Sequence, residues 1–360
     1  MSADAGHPVA PEAEVVPRVE RVHSFDELRG EWTALTDRRG GIFATWEWND
    51  AWWRHFGEGH ELLLHACRAV DGRLVAVLPL YAWRRRLPRV VRFVGHGPGD
   101  ELGPVFMSGA ETGVAHALSA ALGSVDAEVF VGEQLPGDES WPELLGARSW
   151  RREASPVLLV PGGGWEEYLA GRSSNFRAQL RRRTRELERE GEVRFRLTDE
   201  QSLDRDLDTL FALHRARWGT HKTNFADTPF HRDVARAALD RGWLRLWLLE
   251  LDGRPVAAWL GYVVAKVGSY YQAGRDTAYE PLSVGFLLLA HSLRAAMEEG
   301  ATEYRFGRGA EGFKYRFTRG DPGLDTVTLA RGRAGQAALN AAHTARLARN
   351  AVRSLRRRTS

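Results

Sequence analysis

A loop followed by a predicted helix is the segment of this sequence best suited to binding a phosphorylated ligand. The loop reads Glu-Pro-Leu-Ser-Val-Gly over residues 280–285, and the pattern predicts a helix over 284–299. The first N–H groups of a helix lack intrahelical partners and carry a partial positive charge, which suits a pyrophosphate. The small residues Ser283 and Gly285 would let such a ligand approach closely. The alternative is that Ser283 is a plain N-cap and Gly285 a packing residue.

A second group of charged residues lies downstream of that helix. Lys314 is one of three lysines among 50 basic residues, so a specific contact with a phosphate or carboxylate is one interpretation and a solvated surface lysine is the other. Arg308 and Arg316 flank it and could clamp an anionic ligand. The alternative for both arginines is a salt bridge to Glu311.

Two aromatic residues could line a binding pocket. His214 and Trp218 lie one turn apart on a helix predicted over 204–218, so they share a face that either lines a pocket or packs on a sheet. His214 and His221 do not have i,i+4 spacing, and no carboxylate completes a zinc-binding set. The sequence therefore predicts no metal site.

Two loops carry adjacent charged residues. Arg275 and Asp276 follow a strand predicted over 268–272, and Asp100 and Glu101 end a Gly/Pro-rich loop. Asp100 and Glu101 could bind an amine, and Arg275 and Asp276 could contact the same ligand. The alternative is a polar turn for Asp100 and Glu101, and a salt bridge within a turn for Arg275 and Asp276.

The composition describes a globular protein of about two domains. The chain has 360 residues, of which 43% are hydrophobic and 27% charged, which argues against a disordered or fibrous protein. A single cysteine excludes a disulfide scaffold and every cysteine-rich metal site. The net charge of +3 is too small to indicate nucleic-acid binding by itself. No apolar run spans a membrane and the N-terminus has no signal-peptide pattern, so we expect a cytoplasmic protein.

An internal repeat is the most informative feature of the sequence. Strands predicted over 61–70 and 73–81 flank Asp71-Gly72, and strands predicted over 243–251 and 254–263 flank Asp252-Gly253. Asp-Gly supplies the positive φ angles of a two-residue hairpin turn. Each hairpin is preceded by two predicted helices and followed by a strand, a loop, a helix and a strand. This order predicts two copies of one α/β module.

The repeat predicts the domain boundaries. A disordered segment over 1–19 precedes a first module over 20–155 and a second over 156–333. The second module contains an Arg-rich helix over 173–191 with Ser173 as its N-cap and Gly191 as its end. An Arg-rich helix over 334–360 follows, which could make weak contact with an anionic membrane surface.

Five motifs together resemble the GNAT-superfamily acyltransferases of the CelD (cellulose-biosynthesis) type, which are related to the FemABX peptidyltransferases. They are Leu-His-Arg-Ala-Arg-Trp (213–218), Asp-Gly-Arg-Pro-Val-Ala-Ala (252–258), Tyr-Tyr-Gln-Ala-Gly-Arg-Asp (270–276), Ser-Val-Gly-Phe-Leu-Leu (283–288) and Arg-Gly-Ala-Glu-Gly-Phe-Lys-Tyr-Arg-Phe (308–317). That family is built from two tandem GNAT-like modules, which implies mixed sheets flanked by helices here. Two departures stand out, since Arg305 and Ala310 occupy positions where the family usually has aspartates.

The resemblance implies N-acyl transfer from an acyl-CoA, most simply acetyl-CoA, to a primary amine of a sugar, amino acid or cell-envelope precursor, without a metal. It implies a donor site at the helix entry and a strand whose N–H groups stabilise the oxyanion. The catalytic candidates are Tyr315 as the acid with Asp276 and His214. The donor-binding candidates are Ser283, Val284, Gly285, Phe286, Tyr271 and Gln272. The acceptor-site candidates are Trp218, Arg275, Asp100, Glu101, Arg308, Glu311, Lys314 and Arg316.

Two other functions remain open on the sequence. The Arg-rich helix would suit an aminoacyl-tRNA-dependent transferase, or it is an ion-paired surface helix. A non-catalytic accessory protein of polysaccharide or envelope biosynthesis is the third interpretation. A splay between the strands predicted over 268–272 and 303–306 would favour thioester binding, whereas a filled cleft would favour the accessory protein.

Overall fold

The computed structural model describes residues 17–83, 87–147, 149–218, 225 and 228–358. The strands are β1 (Arg18–Val22), β2 (His60–Arg68), β3 (Leu74–Trp83), β4 (Val90–Phe93), β5 (Val105–Phe106), β6 (Val129–Pro136), β7 (Ser149–Glu153), β8 (Val157–Leu159), β9 (Val193–Leu197), β10 (Leu244–Leu251), β11 (Arg254–Val264), β12 (Val267–Arg275), β13 (Glu303–Arg305) and β14 (Leu324–Ala330). The helices are α1 (Arg29–Arg39), α2 (Trp46–Phe56), α3 (Glu111–Ser124), α4 (Trp141–Leu144), α5 (Gly164–Ala170), α6 (Ser174–Glu190), α7 (Leu203–Trp218), α8 (Pro229–Asp240), α9 (Val284–Glu298) and α10 (Gly332–Arg358).

Two mixed sheets confirm the predicted α/β class. The first sheet runs β1-β2-β3-β4-β6-β14-β7, with β5 also paired to β3, and the second runs β8-β13-β12-β11-β10-β9. Within each sheet one parallel pair follows the hairpin, β4 with β6 and β12 with β13. The predicted repeat of elements is therefore present in the fold.

The two hairpins differ in their turns. In the second, Leu251 pairs with Arg254 and the residues between them, Asp252 and Gly253, have φ angles of 50° and 76°. This is the two-residue turn that Asp-Gly predicts. In the first hairpin the Ala69 N–H donates to the Arg73 carbonyl at 2.9 Å, so the loop is longer than two residues. The prediction of a two-residue turn is wrong there, because the pairing shifts register beside Cys67.

The chain exchanges strands between the sheets. β14 lies inside the second module predicted over 156–333, yet it pairs with β6 and β7 of the first sheet. β8, which comes directly after β7 in the chain, pairs with β13 of the second sheet. The second sheet is therefore built without the last strand of its predicted module. β1 likewise begins at Arg18, inside the segment predicted as disordered over 1–19.

Helices α1, α2, α7 and α8 form a layer shared by both sheets. Their apolar side chains belong to one buried cluster, in which Trp48 of α2 and Phe230 of α8 meet edge to face at 5.2 Å. α3 covers the outer face of the first sheet and α9 the outer face of the second. These helices therefore join the two sheets through one packed core.

The Arg-rich helix is confirmed as α6. Ser173 caps it, because its hydroxyl accepts the Phe176 N–H at 3.2 Å, and Gly191 follows its last residue. The helix predicted at the C-terminal end corresponds to α10. None of the helices in the described ranges is long and apolar enough to cross a membrane.

Candidate active site

The central strand of the second sheet separates from its neighbour, as the splay hypothesis requires. β12 pairs with β13 only at Val267, Gly268 and Ser269, although β12 continues to Arg275. From Tyr270 onward this edge of β12 therefore has no strand partner among the described residues. An unpaired strand edge offers backbone N–H and C=O groups to a ligand.

A β-bulge lies at the point of separation. Leu260 of β11 pairs with Gln272 and Gly261 pairs with Tyr270, so Tyr271 is the extra residue on β12. A bulge changes which face the following side chains point to. Tyr270 and Ala273 consequently both face α9, whereas Tyr271 packs in the shared helical layer.

Tyr271 connects the two modules rather than contacting the predicted donor site. Its hydroxyl donates to the Pro98 carbonyl at 3.1 Å and lies 3.1 Å from Nε2 of His231. Burial holds the pKa of Tyr271 well above its ordinary value, so the hydroxyl stays protonated. The donor-binding role predicted for Tyr271 is not supported by these contacts.

A cavity of about 300 Å³, here called the donor cavity, opens at the N-terminus of α9. It is lined by all four residues predicted at the helix entry, Ser283, Val284, Gly285 and Phe286. Ser283 adopts the left-handed conformation (φ 59°), and no side chain in the described part of the chain caps the helix. The first turn of α9 also contains no acidic residue. This helix terminus therefore faces the cavity without a side-chain cap and without a carboxylate in its own first turn to compensate its partial positive charge.

Two arginines add positive charge beside that terminus. Arg316 donates to Oε1 of Gln179 at 2.8 Å and its guanidinium lies 4.1 Å from the centre of the Phe286 ring. Burial, together with the nearby Arg183, lowers the pKa of Arg316, and no carboxylate within the described ranges forms an ion pair with it. Arg275 also lines the donor cavity and is paired with Glu280. The cavity mouth is thus suited to an anion.

A second cavity of about 410 Å³, here called the acceptor cavity, also lies along β12 and is lined by Tyr270, Tyr271, Gln272 and Ala273 of that strand. Seven polar side chains line it: Asp100, His214, Arg217, Gln272, Arg308, Glu311 and Lys314. Four residues line both cavities: Arg217, Tyr270, Ala273 and Phe313. The two cavities therefore meet where β12 carries its bulge.

His214 reaches the acceptor cavity because α7 lies very close to β12. A Cβ atom added at Gly274 would lie 2.5 Å from the His214 backbone nitrogen, so only glycine permits this approach. Burial, and then the Arg217 charge, lower the pKa of His214 to about 4, while Gln272 opposes the shift. Its Nε2 has no hydrogen-bond partner in the described structure. The ring is therefore neutral with one nitrogen unsatisfied.

Asp100 brings a carboxylate from the first module into the acceptor cavity. It accepts the backbone N–H of Arg308 at 3.3 Å, and the Arg308 Nε lies 3.7 Å from its other oxygen. Burial raises the pKa of Asp100 to about 6 against the opposing charge of Arg308. Asp100 therefore titrates much closer to neutral pH than an ordinary aspartate.

Glu101 lines neither the donor cavity nor the acceptor cavity, and its carboxylate is engaged in an ion pair. It pairs with Arg305, which also binds Glu303 at 2.5 Å. Arg305, which occupies a position where the family usually has an aspartate, therefore forms ion pairs with two carboxylates.

Lys314 also has a structural role. It is buried, and its Nζ donates to the carbonyls of Gly307, Arg308 and Gly309 at 3.0, 2.7 and 3.3 Å. The same nitrogen pairs with Glu311 at 2.9 Å. These contacts engage its three N–H groups, so they hold the loop over 307–311 in place and leave none for a ligand.

Three predicted site residues lie elsewhere. The Tyr315 hydroxyl donates to Asp321 at 2.5 Å on the surface, and Tyr315 lines neither cavity. Asp276 accepts the Ala278 N–H at 3.0 Å and pairs with Arg254 at 2.8 Å, so it caps a turn. Trp218 is the last residue of α7, and its side chain lies outside the described part of the chain.

Tyr270 lines both cavities, but the residues predicted from the sequence are the neighbouring Tyr271 and Gln272. A bulge interrupts the alternation of side chains along a strand, so the sequence alone does not show which of the two tyrosines faces the cavities. Burial raises the pKa of Tyr270 to about 12, with Arg217 opposing and the Glu311 and Asp100 carboxylates adding to the shift. The phenol is therefore protonated at neutral pH. The pair of adjacent tyrosines was the signal available in the sequence.

Comparison with known proteins supports the fold. Residues 174–315 match the acetyltransferase (GNAT) domain family. FemX has a TM-score of 0.62 at 12% identity, covering 90% of this chain and 100% of its own. The C-terminal DUF2156 domain of a candidate lysylphosphatidylglycerol synthetase from Agrobacterium fabrum has a TM-score of 0.57 at 14% identity, covering 89% and 96%. L-PGS from Bacillus licheniformis has a TM-score of 0.55 at 15% identity, covering 86% and 93%.

No curated protein sequence matches the chain significantly. The predicted fold, two tandem GNAT-like modules with mixed sheets flanked by helices, is confirmed. The narrower CelD type stays a prediction. The identities of the structural neighbours are low, so they support the fold and not a substrate.

Proposed function

We propose that this protein is an N-acyltransferase that moves an acyl group from an acyl-CoA to a primary amine. The observation that carries the proposal is the meeting of two open cavities at the bulge of β12, one of them beside the uncapped terminus of α9. The pyrophosphate would bind the α9 terminus and Arg316. The thioester would lie near Tyr270, with the amine in the acceptor cavity. The open cleft favours an enzyme over an accessory protein.

The reaction needs one proton acceptor and one proton donor. The amine nitrogen attacks the thioester carbon, the C–S bond breaks, and the products are an amide and the free thiol of CoA. Asp100, with a pKa of about 6, is better matched to neutral pH than His214, with a pKa of about 4, so Asp100 takes the amine proton. Tyr270 replaces Tyr315 as the acid and protonates the departing sulfur. Water then returns a proton from Asp100 to Tyr270.

Ligand-induced stabilisation tests the donor site. Acetyl-CoA at about 100 times its dissociation constant should stabilise the protein by about 2.7 kcal/mol, measured as a rise in melting temperature. Gly285→Glu should abolish the rise, because the carboxylate blocks the cavity and repels the pyrophosphate. Gly30→Glu is the matched control, since Gly30 is also the second residue of a helix and faces open space. No rise with any acyl-CoA would contradict the proposal.

An aminoacyl-tRNA donor is the second candidate, supported by the surface of α6. Arg181, Arg185 and Arg189 are exposed at i, i+4 and i+8, and no ion pair involves them within the described ranges. Such a stripe suits phosphates.

Bulk tRNA tests that candidate by fluorescence anisotropy across salt concentrations. Changing the three α6 arginines to glutamate should weaken binding more than tenfold and flatten the salt dependence. The matched control changes three exposed arginines of the first module, Arg18, Arg38 and Arg73. Equal loss in both variants would show only non-specific attraction.

A further inference from the structure

The donor cavity has a buried apolar end in addition to its charged mouth. Trp259, Leu288, Leu289 and Phe317 line it, although each is at most 3% exposed. The mouth, by contrast, carries charged side chains, namely Arg316 and the ion pair of Arg275 with Glu280. A ligand entering past α9 therefore passes from a polar to an apolar environment.

Small side chains create this space. Ala257 and Ala273 face α9 from β11 and β12, and Trp259 pairs with Ala273 across the two strands. Larger residues at these positions would fill the space.

We infer that the apolar end of the donor cavity receives the acyl chain of the donor, and that the preferred donor carries a chain longer than acetyl. This inference rests on the proposed function. Each buried methylene is worth about a fourfold gain in affinity, so a chain that fills the space gains appreciably over acetyl.

Binding of CoA, acetyl-CoA and hexanoyl-CoA to the purified protein tests the inference by calorimetry. Hexanoyl-CoA should bind at least about tenfold more tightly than acetyl-CoA. Ala257→Leu should remove that advantage and leave acetyl-CoA affinity within about threefold, because leucine occupies the space of the chain. Ala120→Leu, on the exposed face of α3, is the control and should change neither affinity.

The outcomes separate the two proposals. Equal affinity for acetyl-CoA and hexanoyl-CoA would overturn the chain-length inference alone. Loss of CoA affinity itself in Ala257→Leu would also overturn it, because the space would then hold the pantetheine arm. No binding of any CoA compound would overturn the proposed function as well. Ala273→Val provides a second variant if Ala257→Leu does not fold.

Discussion

The corresponding strand pairs of the two modules begin alike and end differently. β4 and β6 pair in parallel at three positions, as do β12 and β13. β12 then carries a bulge and opens into cavities, whereas β4 pairs with β3 without a register shift. In the first module Leu102 is buried in the core and its N–H donates to the Gln134 carbonyl at 3.0 Å. The bulge in β12 and a few small residues thus distinguish the second module, which has open cavities at this position, from the first module, which is packed there.

The helix termini show the same contrast. α3 has Glu111 in its first turn, and that carboxylate accepts the Gly109 N–H at 3.0 Å. α9 has no acidic residue in its first turn. The first module therefore compensates its helix terminus internally, whereas the second leaves it available to an anion.

The largest loss of stability is expected when the buried charge of Lys314, beside the acceptor cavity, is removed. Lys314→Met should lower the free energy of unfolding by about 4 kcal/mol, because three carbonyls and Glu311 lose their cation. Urea denaturation measures this, with Lys266→Met, at an exposed lysine, as the control. A change below about 1 kcal/mol would mean that the loop over 307–311 does not depend on Lys314.

The first module, which is packed in the corresponding region, should lose stability when a core side chain is shortened there. Leu102→Ala should cost about 3 kcal/mol by leaving a cavity in the first module. Urea denaturation measures the cost. Leu159→Ala, at a side chain that is 76% exposed, should cost little. Similar values for both variants would show that Leu102 does not pack as described.

Asp100 should make stability depend on pH. The pKa of Asp100 is about 6 in the folded protein, above its ordinary value of about 4. Its contribution to stability is therefore greatest in acid and declines as the pH rises from about 4 to about 6. The wild type should lose up to about 2 kcal/mol over that interval relative to Asp100→Asn. Unfolding free energies at several pH values measure the difference. Parallel curves for the two proteins would contradict the assignment.

The smallest effect is expected at the contact between the modules. Tyr271→Phe should cost about 1 kcal/mol, because the Pro98 carbonyl loses its donor. Denaturant titration measures this. The control is Tyr279→Phe, at a partly buried tyrosine whose hydroxyl makes no such bond in the described structure. No measurable cost at Tyr271 would show that the carbonyl finds another donor.

The sequence predicted the elements better than the positions of functional side chains. Periodicity and Asp-Gly turns located the repeated module, and the entry to α9 was identified from Ser283 and Gly285. The bulge at Tyr271 was not predictable, because its signal is the register between two strands. The contacts of Lys314 and Tyr315 depend on loops whose paths no local pattern determines. The pairing of Arg305 with Glu101 joins residues 204 positions apart, which is beyond any local signal.

The exchange of β8 and β14 has a consequence for motion. The chain crosses between the sheets once before β8 and again before β14, so two covalent links tie the modules together beside the contacts of Tyr271 and Arg305. A pair of domains joined by one linker can hinge about it, but a second crossing restricts that rotation. The separation of the two sheets is therefore constrained by two crossings of the chain as well as by these side-chain contacts.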